Sequence, residues 1–146
     1  MTFRLAEFYL NYAEAMLNLS GDGYKAETGF TMTPKYAIDL VRKRAGLAGI
    51  EEGLSASQFK EKIEKERFVE LAFEGHRFFD VRRWKEGDKY FKTIYGLRIT
   101  KNADGTFNEE KTVVQNRQWD EKMNLFPIPQ SEILKSGNVL VQNPGW

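Results

Sequence analysis

Glu66–Trp84 reads ERFVELAFEGHRFFDVRRW and has the strongest structural signal in this 146-residue chain. At about 100° per residue, Glu66, Glu70 and Glu74 fall on one stripe of a helix, which apolar residues of the preceding turns share. Ionised carboxylates at the edge of an apolar core are costly unless cations and hydrogen bonds satisfy them. The stripe therefore predicts cationic partners for all three acids.

Arginine is well suited to this task, because its planar fork can hold two carboxylates at once and stays charged. Several arginines lie in the same stretch, and two more come from an earlier helix. We predict a structural ion network within the helical scaffold. Its predicted members are Arg42, Arg44, Glu66, Arg67, Glu70, Glu74, Arg77, Asp80 and Arg83. Arg44 falls within the predicted buried stripe of its helix, so we expect it to cross the interface to the glutamate row as an internal salt bridge.

A helix–turn–helix corner is the predicted structure of this stretch. The central helix should run from about residue 57 to residue 74, after a capping box that starts at Ser55 or Ser57. Gly75 should break it, and a second helix should follow over residues 77–85. His76 is the single histidine; we expect it to cap a helix end, since it lacks a partner for metal binding.

The three glutamates and His76 also allow a catalytic alternative. Two carboxylates can cleave a glycosidic bond when one of them, the general acid, has a raised pKa. Nothing in the sequence assigns that role to one acid, so a glycoside hydrolase that uses Glu66, Glu70 and Glu74 is the weaker hypothesis. No Ser/His/Asp signature, P-loop or dinucleotide fingerprint is present either. We predict a protein that is not an enzyme and needs no cofactor.

Composition is that of one globular domain. Hydrophobic residues make up 41% and aromatic residues 14%, which is enough for a packed core. With 22 basic and 21 acidic residues and no long basic run, nucleic acid is not an expected partner. The absence of cysteine excludes disulfides and thiolate metal sites, and no apolar run approaches the length of a membrane span.

Helix 1, predicted from about Arg4 to Leu19 with Thr2 as a cap, has two apolar rows. The first row consists of Leu5, Phe8, Tyr9, Tyr12, Met16 and Leu19. The second row consists of Ala6, Leu10, Ala13 and Leu17. So wide an apolar arc needs neighbours on two sides, so we expect a fragment of a larger protein. The alternative is a helical protein-interaction module that uses this arc as its partner surface.

The remaining elements are a second helix, a hairpin and an extended tail. Thr33 and Pro34 should start helix 2. Its predicted buried stripe consists of Tyr36, Ala37, Leu40, Val41 and Leu47. Residues 93–100 and 111–114 are β-like, and Asn102–Gly105 between them indicates a hairpin turn, with half of a calcium loop as the weaker alternative. Residues 126–129 contain two prolines and should run extended before a helical turn at 130–135.

Trp119 is the leading candidate for a ligand contact. It lies in the polar run 115–122, among amide and charged side chains. Such surroundings are typical of a sugar platform, because the C–H face of a pyranose stacks on the ring while its hydroxyls bond to planar polar groups. The alternative is that Trp119 only covers the central helices. Tyr95, Tyr24 and Phe30 are weaker candidates of the same kind.

Four motifs carry a family resemblance, in the order expected of one family. They are Arg4–Ala15, Val41–Leu47, Glu66–Trp84, and a closing motif made of Leu125–Pro129 and Gln142–Trp146. Together they resemble the C-terminal region of the SusD/RagB family, the surface nutrient-binding lipoproteins of Bacteroidetes. The final residue departs from the pattern, because Trp146 stands where that family more usually has tyrosine.

The resemblance implies a mainly α fold, with a pair of helices similar to tetratricopeptide units, the helix–turn–helix corner, a small β-hairpin and an irregular tail. Residues 1–146 would form the C-terminal domain of a longer protein, with a helical part at 1–90 and the hairpin and tail at 91–146. It also implies non-catalytic oligosaccharide capture at the outer membrane. The partners would be a glycan or other nutrient and a SusC-like TonB-dependent transporter, and an N-terminal lipid would supply the membrane anchor.

Overall fold

The computed structural model describes residues 3–137 and 139–146, so the cap predicted at Thr2 lies outside the described residues. The chain forms two compact units, Met1–Arg77 and Phe78–Trp146. The helices are α1 (Leu5–Ser20), α2 (Pro34–Arg44), α3 (Ala56–Glu70), α4 (His76–Arg83), α5 (Gly87–Tyr90), a 3-10 helix (Glu121–Asn124) and α6 (Gln130–Lys135). The strands are β1 (Thr93–Lys101) and β2 (Phe107–Asn116). The predicted mainly α fold with one small hairpin is confirmed.

The core of the first unit forms where α1 packs against α2 and α3. Its buried residues from α1 are the second predicted row: Ala6, Leu10, Ala13 and Leu17. In the first row, Leu5, Phe8 and Leu19 are 65%, 59% and 63% exposed, whereas Met16 is buried and Tyr9 and Tyr12 pack partly buried against the core. The two alanines of the buried row are small enough for neighbouring helices to approach closely, which explains why this row faces the core.

Helix α2 starts as predicted but is rotated relative to its predicted stripe. The Thr33 hydroxyl accepts a hydrogen bond from the Tyr36 amide at 3.1 Å, directly before Pro34. Ala37 and Val41 are buried, but Tyr36 is exposed, and Leu47 lies beyond the helix end and is also exposed. Those two predictions are wrong.

Asp39 explains the rotation of α2. It is only 6% exposed, and its carboxylate accepts hydrogen bonds from the Ile50 amide and from the Lys35 ammonium, both at 2.7 Å. Gly49 lies against the same carboxylate, because a Cβ there would be 2.7 Å from the Asp39 Oδ2 atom. The loop after α2 is thus held against the face that carries Asp39 and the fully buried Ile38.

Helix α3 begins with the capping box at Ser55 and Gln58 and ends at Glu70, four residues before the predicted end. Phe73 and Gly75 have positive φ angles of 64° and 82°, which a right-handed helix cannot contain. Glu74 therefore lies in a turn, not on the predicted helical stripe. The next helix, α4, starts at His76 and ends two residues before the predicted boundary.

In the second unit, β1 and β2 form an antiparallel hairpin with an irregularity between Ile94 and Tyr95. The predicted turn at Asn102–Gly105 is confirmed, with the Gly105 amide donating to the Asn102 carbonyl at 3.1 Å. The Asp104 carboxylate accepts hydrogen bonds from the Thr106 hydroxyl and amide, and these hold its pKa below the usual range. The Asp104 carboxylate is therefore engaged by hydrogen bonds inside the turn, which supports the hairpin turn and not the calcium loop.

The C-terminal tail folds back onto the extended segment before α6. The Gln142 side chain pairs with the Ile128 main chain, accepting from its amide at 2.7 Å and donating to its carbonyl at 2.8 Å. The Trp146 indole N–H donates to the Lys122 carbonyl at 3.0 Å. Trp146 is therefore fixed, as expected, although its side chain remains 46% exposed. Within the described part of the chain, no helix combines the length and apolarity needed to span a membrane.

Candidate functional site

Trp119 lines two adjoining cavities in the second unit, which we call the Trp119 site. One has a volume of about 240 Å³ and is lined by Phe78, Arg82, Phe91, Arg117, Gln118, Trp119 and Met123. The other has a volume of about 470 Å³ and is lined by Lys92, Arg117, Gln118, Trp119, Asp120, Lys122 and Met123. The site thus combines three aromatic rings with guanidinium, amide and ammonium groups.

Main-chain contacts hold the Trp119 segment in place. The Arg117 amide donates to the Lys92 carbonyl at 2.6 Å, which ties the segment to the start of β1. On the other side, the Asp120 side chain caps the 3-10 helix by accepting from the Lys122 amide at 3.0 Å. The indole itself packs on Gly87, where a Cβ would lie 1.7 Å from the Trp119 Cε2 atom. The ring also lies 5.4 Å from that of Phe91, centroid to centroid.

Arg82 is a cation surrounded by aromatic rings. Its guanidinium carbon lies 3.6 Å from the ring centroid of Phe78 and 5.2 Å from that of Trp119. The rings of Phe91 and Phe126 follow at 5.6 Å and 5.5 Å. Burial lowers the pKa of Arg82, which nevertheless stays charged because an arginine titrates far above neutral pH. Its Nη1 atom donates to the Phe78 carbonyl at 3.1 Å, whereas its buried Nε atom has no hydrogen-bond partner among the described residues.

The other aromatic candidates lie apart from the two cavity linings. Tyr95 is in the second unit, and the Lys111 ammonium sits 3.9 Å from its ring centroid. Tyr24 is in the first unit, where its hydroxyl accepts from the Leu54 amide at 2.8 Å and donates to the Glu51 carbonyl at 2.9 Å. These two hydrogen bonds hold the loop at residues 51–54 against Tyr24.

Phe30 also belongs to the first unit. It is 53% exposed and has its ring 6.4 Å from that of Tyr12. Of the four aromatic residues proposed from the sequence, only Trp119 lines the cavities described above. Arg82 and Phe91 were not predicted as site residues. For Arg82 a signal was available in the sequence, because its four-residue spacing from Phe78 places the two side chains on one face of a helix.

The glutamate row of the first unit is paired with arginine. Arg42 contacts Glu66 at 2.7 Å, and Arg44 contacts Glu70 at 2.6 Å. Arg4 also belongs to this network, although it was not predicted from the sequence. Its Nη1 atom donates to the Glu70 carboxylate at 2.5 Å and its Nη2 atom to the Glu70 carbonyl. Its Nε atom donates to the Glu74 carboxylate at 2.9 Å. Arg44 reaches the glutamate row as expected, but its side chain is 62% exposed, so the predicted internal position of this salt bridge is wrong.

Electrostatics favours the ionised form of Glu74. The hydrogen bond from Arg4 is the main cause that holds the pKa of Glu74 below its usual range. The two carboxylates in turn raise the pKa of Arg4. A general acid needs the opposite shift, since it must hold a proton near neutral pH. Because all three glutamates are paired with arginines, the row is better suited to holding elements together than to acid–base chemistry.

The other predicted members of the network have different partners. Arg67 is buried and donates to the Asn11 side chain at 2.6 Å, whereas the Arg77 guanidinium lies 4.7 Å from the Phe68 ring centroid. Asp80 and Arg83 contact each other at 2.9 Å within α4. His76 is the first residue of α4, and its Nε2 atom lies 3.7 Å from a Glu7 carboxylate oxygen.

Gly87→Ala is expected to disrupt the Trp119 site, because the new methyl group would overlap the indole. Overpacking of this kind costs about 1–3 kcal/mol of unfolding free energy. Denaturation followed by tryptophan fluorescence would measure this loss. Gly105→Ala is the matched control for the overlap, because a Cβ there meets no atom within 4 Å, although its positive φ of 86° adds some strain of its own. Equal emission spectra and equal stability of Gly87→Ala and the wild type would contradict the packing described.

The whole chain is similar to SusD proteins. The SusD family model matches residues 1–146. SusD-like protein P2 from Formosa agariphila is 30% identical over 150 residues, which cover 98% of this chain and 25% of that protein. A SusD-like protein from Bacteroides fragilis, known from a crystal structure, is 37% identical with a TM-score of 0.73, over 97% of this chain and 24% of the other. Surface glycan-binding protein A from Bacteroides thetaiotaomicron is 29% identical with a TM-score of 0.57, over 97% and 24%.

The chain spans about a quarter of the length of these relatives. Sequence, family model and fold agree over nearly all of its residues, and they confirm the resemblance inferred from its motifs. The chain belongs to the SusD family.

Proposed function

We propose that this chain is part of a non-catalytic protein that binds oligosaccharides at the bacterial cell surface. Membership of the SusD family and similarity to a protein named as a surface glycan-binding protein support this proposal. The Trp119 site is the observation that carries it to particular residues. We assign sugar stacking to Trp119, and hydrogen bonding to Gln118 and Arg117, whose planar groups line the same cavities.

The volumes of the two cavities indicate how many sugar rings of a glycan the Trp119 site can contact. The smaller cavity, about 240 Å³, is below the range of roughly 300–1,000 Å³ that is typical of pockets for drug-sized ligands. The larger cavity, about 470 Å³, shares four lining residues with it. One or two sugar rings would therefore contact the site, and the remainder of an oligosaccharide would extend beyond it.

Binding without catalysis is the proposed activity. The glutamate row, which was the basis of the hydrolase hypothesis, is ion-paired with arginines. At the Trp119 site the side chains offer ring faces and hydrogen-bond donors, and no bond-breaking step is part of the proposal. Incubation of the chain with its glycan ligand and assay of reducing ends would test this part, and release of sugar would contradict it.

Uptake is the proposed biological context. We propose that the parent protein is a lipid-anchored outer-membrane protein that passes its glycan to a SusC-like TonB-dependent transporter, as the family resemblance implies. Purification of the parent protein from outer membranes, followed by identification of proteins that co-purify, would test this. Recovery without any β-barrel transporter would count against the partnership.

Trp119→Ala is expected to weaken binding of an oligosaccharide about tenfold or more, which corresponds to ~1.4 kcal/mol or more of binding free energy. The loss follows from removal of the ring on which the sugar would stack. A glycan array would identify the oligosaccharide, and titration calorimetry would compare the variants.

Phe107→Ala, near the hairpin turn, is the control for loss of an exposed aromatic ring, because Phe107 is 62% exposed. Tyr95→Ala is a second arm that tests the remaining sequence-based candidate of this unit. Unchanged affinity in Trp119→Ala, or equal losses in all three variants, would contradict the assignment of the site.

A further inference from the structure

We propose that the Trp119 site selects glycans that carry an anionic group, either a carboxylate or a sulfate. This inference rests on the proposed function and adds the class of sugar to it. Three observations support it: the balance of charge around the two cavities, the unsatisfied hydrogen-bonding capacity of Arg82, and the geometry of the groups that would meet the anion.

The charge of the site differs from that of the chain. The chain as a whole has 22 basic and 21 acidic residues and is nearly neutral. Around the two cavities, however, the ionised side chains are four cations and one acid: Arg82, Arg117, Lys92, Lys122 and Asp120. A local excess of one sign attracts ligands of the opposite sign.

Three of these cations have no carboxylate partner among the residues that the structure describes. Lys92 contacts the Asp88 carboxylate at 3.1 Å. For Arg82, Arg117 and Lys122, by contrast, the structure shows no carboxylate within 4 Å over residues 3–137 and 139–146. Asp120, the one acid of the lining, already accepts the amide that starts the 3-10 helix. The positive charge of the site is therefore available to a ligand.

Arg82 adds a specific demand for an acceptor. Its Nε atom is buried and has no hydrogen-bond partner in the described residues, and four aromatic rings surround its guanidinium. A buried donor without an acceptor is costly, and an anion is the acceptor that satisfies it best. A guanidinium also presents parallel N–H groups that match the two oxygens of a carboxylate or of a sulfate.

Arg117 provides the accessible part of the same recognition. It lines both cavities, is exposed to solvent, and its Nε atom donates to the Gln115 side chain at 3.1 Å. That contact leaves its terminal N–H groups for a ligand. A sugar stacked on Trp119 would place an acidic substituent within reach of these groups.

Two pairs of polymers that differ mainly in charge provide the test. Polygalacturonate is compared with its methyl-esterified form, and dextran sulfate with dextran, by affinity electrophoresis and titration calorimetry at low salt. We expect at least one charged polymer to bind about tenfold more tightly than its neutral form. Binding of inorganic sulfate at matched ionic strength is measured as well, because a free anion could accept hydrogen bonds from the same arginine N–H groups.

Arg117→Met is the main variant, since an exposed arginine can be replaced without loss of folding. We expect it to weaken binding of the charged polymer about tenfold, the effect of one charge-assisted hydrogen bond. Binding of the neutral polymer should weaken by a smaller factor, because a sugar hydroxyl forms a weaker hydrogen bond with Arg117 than an anion does. Lys122→Met should act in the same direction. Arg98→Met is the matched control, because Arg98 is an exposed cation of β1 outside both cavities.

Several results would overturn the inference. Equal affinity for charged and neutral polymers, together with loss of binding in Trp119→Ala, would remove the anionic preference and leave the proposed function intact. Absence of binding to both charged polymers would overturn the inference, whereas absence of binding to every oligosaccharide of the glycan array would contradict the proposed function. An equal loss in Arg98→Met and Arg117→Met, or inorganic sulfate binding as tightly as dextran sulfate, would replace a glycan site with general attraction of anions.

Discussion

Phe59→Ala is expected to lower the free energy of unfolding by about 3–5 kcal/mol, the usual cost of removing a buried aromatic ring. Phe59 is fully buried in α3. Its ring leaves no room for a side chain at residue 23, where a Cβ would lie 2.2 Å from the Phe59 Cδ2 atom. The Tyr24 ring packs edge-on against it, with 5.6 Å between the centroids. Phe59 belongs to the same buried cluster as Leu10, Ile38 and Ile63, so its truncation would leave a cavity in the core of the unit.

Urea denaturation followed by far-UV circular dichroism would measure this effect, because three long helices lie in the first unit. The three tryptophans, Trp84, Trp119 and Trp146, all lie in the second unit, so their fluorescence reports on that unit separately. Phe8→Ala is the matched control, since Phe8 is 59% exposed and its replacement should change stability by no more than about 0.5 kcal/mol. A loss in Phe59→Ala that is no larger than the loss in Phe8→Ala would contradict the assignment of the core.

Arg4→Met is expected to destabilise the chain by about 1.5–3 kcal/mol, chiefly because Glu70 would lose a charge-assisted partner. The Glu70 side chain is only 11% exposed, and Arg4 bonds to both its carboxylate and its carbonyl. Methionine keeps an apolar stem of similar length and removes the charge. Thermal or urea denaturation would give the difference. Arg98→Met, which removes an arginine 3.6 Å from Glu110 at an exposed position, should cost less than about 0.5 kcal/mol.

The effect of Arg4→Met should also depend on pH. The hydrogen bond from Arg4 lowers the pKa of Glu74 in the folded chain, so ionised Glu74 stabilises the fold above the pKa of an unfolded glutamate, about 4.3. That contribution is lost as the pH falls through the lowered pKa of the folded state. The stability gap between wild type and Arg4→Met should therefore be complete at neutral pH and narrow below about pH 4. A gap that stays constant from pH 7 to pH 3 would contradict this pairing.

Local features of the fold were predictable because they depend on neighbours in sequence. The Thr33–Pro34 start of α2, the Ser55 capping box and the Asn102–Gly105 turn are all formed by residues a few positions apart. Their backbone preferences and short-range hydrogen bonds act before any distant contact forms. The same is true of the proline-rich segment that runs extended into α6.

Long-range partners were not predictable in this way. Arg4 and Glu70 are 66 positions apart, and no local pattern connects them. Trp119 stood out by its polar neighbours, but the glycine on which it packs and the arginine beside it come from distant segments. The same limit applies to α1, where both apolar rows fit the helical period and only packing placed every residue of the row with two alanines in the core.

The sequence by itself determined the mainly α class, the family, and the requirement that three glutamates meet cations. It also determined the boundaries of the hairpin and of the helices other than α5 and the 3-10 helix to within a few residues. Only the tertiary structure decided which cations they meet, which face of α1 is buried, and that Arg82 and Phe91 join Trp119 around one site. The physical reason is that a side chain carries its own polarity and backbone preference along the chain. Its partners, in contrast, depend on how separate elements pack, and packing is a property of the folded chain as a whole.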